Sequence, residues 1–109
     1  AEVLWVDQLR NCQLNVVPED LPVGWGPVIS LTLPDPAEPG VTVVRSAQLA
    51  TSFGAIGGGI GLIVDSLGMY AICLDRRSAA GELVLDVGDQ VVIAQGEVEL
   101  VTTPVSFGR

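Results

Sequence analysis

The groups in this chain with chemistry to offer are two thiols, Cys12 and Cys73, a carboxylate beside a hydroxyl, Asp65 with Ser66, and two adjacent arginines, Arg76 and Arg77. What is missing narrows their use. The chain has no His and no Lys, which removes the commonest general base and metal ligand. It also removes Schiff-base chemistry and the phosphate-gripping lysine of nucleotide loops. A thiol nucleophile would therefore work without a histidine base, and "RNCQ" and "AICLD" read as strand positions where inert buried thiols are expected. Cys12 and Cys73 lie far apart in sequence, unlike the close pairs of a zinc site. They are a candidate disulfide, which would stabilise the fold by about 4 kcal/mol through chain entropy. Two buried free thiols are the equal alternative. Asp86 and Asp89 in "LDVGDQVVI" fall short of the roughly six oxygens of a calcium loop. They suit a turn in which Gly88 takes an unusual dihedral and Asp89 bonds nearby backbone. No metal and no cofactor is expected.

Asp65 is the sharpest catalytic candidate. In "LIVDSLG", Ile63, Val64, Asp65 and Ser66 form the pattern apolar–apolar–Asp–Ser, which resembles the aspartic peptidases, whose catalytic carboxylate follows a hydrophobic strand and precedes Ser/Thr and Gly. For the retroviral, retropepsin-like type the resemblance implies a homodimer of all-β chains of about this size, each supplying one Asp to a shared-proton pair. It covers those four residues only. The family's Gly makes a tight turn; here Leu67 stands at that position and Gly68 falls one residue late. An ordinary Asp ending a strand before a turn produces the same pattern. The chain is accordingly read as non-catalytic, with a dimeric aspartic peptidase using Asp65 as the alternative.

Recognition has two candidate seats. "LPVGWGPV" sets Trp25 between Gly24 and Gly26 in a proline-rich loop, where an aromatic can stack on a small ligand. The competing reading folds Trp25 back to cap the core. The second seat is "FGAIGGGIGLIVDS", residues 53–66. Residues 46–74 carry Asp65 as their only charge, and stretch 46–64 approaches bilayer-spanning length. Gly54 and Gly58, like Gly57 and Gly61, have the spacing at which membrane helices pack closely. Ser46, Gln48, Thr51 and Ser52 make its start polar, however, and consecutive glycines weaken a helix by about 1 kcal/mol each. Membrane insertion is therefore disfavoured. The phosphate-loop patterns are absent as well. Glycine beside a strand marks a bulge, a corner or a close approach of another backbone. A core this small has limited room for so long a nearly uncharged segment. Phe53, Gly57, Gly58, Gly59 and Ile60 are thus expected at a close-packed contact, through self-association or with a protein partner.

The elements that must position these groups read as strands. Apolar alternation recurs in "NCQLNVV", "VISLTL", "VTVVR", "GLIVD", "MYAICLD", "LVLDV", "VVIAQ" and "VELVTT", with turn residues between them. Ser66–Leu67–Gly68 could close a hairpin. Helix fits only residues 46–53 and the opening "EVLWVDQL". Residues 1–109 are expected to form one all-β domain, an antiparallel β-sandwich or compact β-barrel of roughly seven to nine short strands.

Composition bounds the rest. The 109 residues are 49% hydrophobic, with 13 Gly and 7 Pro, enough apolar surface to offset chain entropy. A net charge of −8, with five Arg as the only basic side chains, excludes nucleic acid and disfavours an anionic membrane. The start at Ala1 suits a processed extracellular or periplasmic protein, and a trimmed one equally.

Overall fold

The computed structural model describes residues 1–51, 56, 59–74 and 77–96. The element order is β1 (Val3–Val6), β2 (Cys12–Leu14), a 3-10 turn (Pro18–Asp20), β3 (Val28–Pro34), β4 (Thr42–Ala50), β5 (Ile60–Val64), β6 (Tyr70–Leu74), α1 (Ala79–Leu83) and β7 (Val92–Gln95). The protein is nearly all β, a single mixed sheet of seven strands in the order β1-β2-β6-β5-β4-β3-β7, curled into a half-barrel. A bridge between Glu2 and Gln90 draws the start of β1 towards the segment before β7. The amide of Val3 donates to the carbonyl of Asp89 and that of Gly88 to Val3.

Period-two patterning decides which way each strand faces. In β3 the buried residues Ile29, Leu31 and Leu33 alternate with half-buried Val28, Ser30 and Thr32. The concave face gathers Val3, Cys12, Leu14, Ile29, Leu31, Leu33, Ala47, Ile60, Leu62, Ile72 and Leu74 into the main core, closed by Ala79, Ala80, Leu83, Leu85 and Val91. With few aromatics available, aliphatic side chains fill almost all of it.

The strand at β4 corrects the helical reading of residues 46–53 as far as Ala50; Ser52 and Phe53 lie outside the described residues. Thr42–Ala50 is one continuous strand, paired along its length to β3 from Pro34↔Thr42 to Val28↔Gln48. The opening "EVLWVDQL" is likewise no helix: Val3–Val6 is extended as β1, which pairs with β2 through a bulge between Val3 and Trp5, and residues 8–9 turn. Conversely, "RRSAAGE", read as a polar connection, holds α1. There the Ser78 hydroxyl accepts from the Gly81 amide at 2.8 Å, an N-cap that the apolar-period reading overlooked. "LVLDV" yields no strand: Val84 caps α1 at φ 54°, and Leu85 returns to the core. The run "VELVTT" lies outside the described residues.

All strand pairs are antiparallel except one. β4 and β5 run parallel, with Ala47↔Ile60 through Ala50↔Ile63 in register. A parallel neighbour cannot be reached by a hairpin. The glycine-rich residues 51–59 therefore link the end of β4 to the start of β5.

Candidate functional site

Gly61 lies on the convex face of β5, and Ile56 packs directly above it. A Cβ at Gly61 would overlap the Ile56 side chain, whereas one at Gly59 would meet nothing within 4 Å. Ile56 joins Ile63, Ala71, Cys73 and the partly buried Ala50 in a small second core outside the sheet. Ile56 is thus held on the convex face, seated over one glycine. Phe53, Gly57 and Gly58, the other residues expected at a contact, lie outside the described residues.

Two hollows flank this contact, and Gly59 and Ile60 line both. The first is a cleft of about 200 Å³ between Arg45, Ser46, Leu74, Arg77, Glu82 and Leu83. Arg45 is the only charged side chain in any of the seven strands, and Arg77 stands just before α1, with its Nη1 3.7 Å from Glu82 Oε1. Both ends of that pair are about half exposed, so the pairing itself contributes little to stability. The second hollow, about 240 Å³ and shallow, lies on the convex side between Val28, Ser46, Gln48 and Ile56.

The helix beside the cleft is held by unusual backbone. Arg10 (φ 68°) and Val84 (φ 54°) are the non-glycine residues with positive φ among the described residues. The carbonyl of Arg10 accepts from the Ala80 amide at 3.0 Å, and Val84 ends the helix. A β-branched residue in the left-handed region is a true outlier. Below Arg10, Asp7 accepts from the backbone amide of Asn11 at 2.8 Å and from its side chain at 3.3 Å. The sequence reading missed this turn; its signal was the Asp–Asn spacing in "DQLRN".

Asp65 ends β5, as its strand-then-turn pattern suggested. Oδ1 accepts from the amides of Leu67 at 2.9 Å and Met69 at 3.1 Å. Oδ2 accepts from the Gln13 side chain of β2 at 2.7 Å. Gly68 takes φ 84°, so the glycine one place late does close the hairpin from β5 to β6.

The cysteines correct the disulfide candidate. Both are free and buried. Cys12 pairs with Ile72 rather than with Cys73, so Cys12 points into the concave core and Cys73 into the convex one. Side chains on opposite faces cannot be bridged. Burial, reinforced by Asp7, pushes the Cys12 thiol up to about 11. Burial also pushes Cys73 up to about 12, again with Asp7 next in weight. Neither is a thiolate near neutrality, which removes the nucleophilic and metal-binding form. Among the described residues no three His, Cys, Asp or Glu side chains come together to hold a metal ion.

Trp25 is half-buried and packs against the main core, as in the capping reading, while Gly24 is exposed with φ 94°. Asp89 Oδ2 accepts from the Asp86 amide at 2.8 Å, and Gly88 takes φ 93°, the turn expected of "DVGD". No described helix is long and apolar enough to cross a membrane.

No protein-family model matches the sequence, and neither does any curated protein. Among solved structures the chain is similar to an uncharacterized conserved protein from Thermotoga maritima, at a TM-score of 0.72 and 24% identity. The match covers 85% of this chain and 35% of that one. The similarity shows a shared fold, and the chain spans about a third of the length of the structure it matches.

Proposed function

We propose that this chain is a non-catalytic β-domain that works by binding, as a module or repeated subunit of a larger protein assembly, with the glycine-rich segment 53–64 at the contact. The observation that carries this reading is that Gly59 and Ile60 form a wall of both hollows, so one short stretch of chain borders two concave surfaces at once. On the cleft side, Arg45 and Arg77 offer planar guanidinium donors to an acceptor-bearing group of a bound molecule. Two cations beside one cleft stand out in a chain of net charge −8. The inert thiols and the turn-forming role of the Asp65 carboxylate support a binding role over a chemical one.

Gly59→Leu tests the reading. Gly59 has open space where a Cβ would stand, so the variant should keep its unfolding midpoint. Wild type is expected to sediment above 11.3 kDa at micromolar concentration, and the variant as the monomer. A wild-type protein that stays monomeric would end the assembly reading.

A further inference from the structure

We infer that the convex face of β4, β3 and β7 is the surface on which a second copy of this chain packs, sheet against sheet, an inference that rests on the assembly reading above and names its contact. Strand register builds two short ladders there. Val44 lies opposite Thr32, which lies opposite Val92; Ser46 lies opposite Ser30, which lies opposite Ala94. Neither ladder contains a charge.

An antiparallel sheet with one face to water ordinarily alternates apolar-in with polar and charged-out. Among the described residues Arg45 is the only charged strand residue, and it lies beside Leu31 on the concave side of β4. The described acids sit in turns, loops and α1 instead. The ladders nonetheless leave Val44 at 47% and Val92 at 59% exposure. Edge strand β7, "VIAQ", carries no lysine, no proline and no charge, the devices that normally keep an edge from pairing.

Charge selects the occupant. Two chains of net −8 repel over most approaches, and burying unpaired carboxylates between them is strongly unfavourable. A face that carries no charge among the described residues is a surface where like-charged copies can meet without that cost. A basic partner would be drawn to the acidic loops rather than to this face. The side chains also suit stacking. Val, Ser, Thr and Ala are short, and facing sheets pack about 10 Å apart. A two-fold arrangement sets the same ladders against each other, the self-complementary form of a closed dimer. The shallow hollow at Val28, Gln48 and Ile56 continues the face towards Gly59.

The test is sedimentation of the full chain and of three variants, Val44→Glu, Val92→Glu and Val44→Thr, each checked for an unchanged unfolding midpoint at monomeric concentration. Wild type and Val44→Thr should sediment at twice 11.3 kDa. Each Glu variant should sediment as a folded monomer, with self-association weakened about 100-fold or more. Glu variants that keep the wild-type mass overturn the inference. If Gly59→Leu dissociates the complex while they do not, the contact lies elsewhere and the assembly reading survives. A monomeric wild type overturns both.

Discussion

Asp65 uses both carboxylate oxygens, holding the β5–β6 turn through the Leu67 and Met69 amides and tying it to β2 through Gln13. Gln13 is itself buried, so its amide would lose a charge-assisted partner if Asp65 were truncated. Asp65→Ala should lower stability by about 2 kcal/mol, read as a shifted urea midpoint with the slope unchanged. The thiols make a different prediction. Their ordinary value is 9.0, and the fold raises Cys12 to about 11 and Cys73 to about 12. The unfolded chain therefore releases these protons before the folded one does. The stability they contribute is complete below pH 9 and is lost as pH climbs through 11 and 12, because the unfolded state then binds fewer protons. Urea midpoints should fall across that window, and Cys73→Ala should flatten the fall. At neutral pH neither thiol should react with a thiol reagent until denaturant is added. Asp65, Gly68, Gly88 and Asp89 were all legible as turn residues, because their chemistry is local.

At the scale of elements, the glycine-rich stretch acquires a mechanical meaning. Gly61 makes room for Ile56, so that this side chain can pack against the convex face of the sheet. Gly61→Ala forces those two apart and should cost about 1–3 kcal/mol by overpacking. Gly59→Ala, set in open space, should stay within about 0.5 kcal/mol of wild type. The contrast between neighbouring glycines separates packing from chain entropy in thermal or urea unfolding. The strand signal of β3 was plain because its alternation is strict. The first half of β4 was legible in "VTVVR"; its second half was hidden because "SAQLATSF" is polar enough to suit a helix, and only pairing with β3 and β5 makes residues 46–50 extended. Tertiary context outweighed propensity there. The short helix α1 went unseen for a related reason: one turn of apolar period is too little to register.

For the whole molecule, the separation of charge from sheet governs behaviour. Among the described residues the acids crowd the turns and loops, and the strands bear Arg45 alone. The proposed self-association through an uncharged face would work against net repulsion. It should tighten as added salt shortens the screening length below about 10 Å. Sedimentation across a salt series checks this; a contact held mainly by ion pairs would loosen instead. Association should tighten also as pH falls towards the isoelectric point near 4.1, where the repulsion disappears.

The amino-acid order by itself determined the all-β class, the turn residues, and the absence of histidine and lysine chemistry, since these follow from composition and from neighbours a few positions apart. The tertiary structure decided what depends on partners far along the chain. It placed β5 parallel to β4, put Cys12 and Cys73 on opposite faces, and laid Trp25 against the core. It also set Arg45 and Arg77 on one cleft. A period of two states that a strand has two faces, but only strand pairing and sheet curl determine which face turns inward and what it meets there.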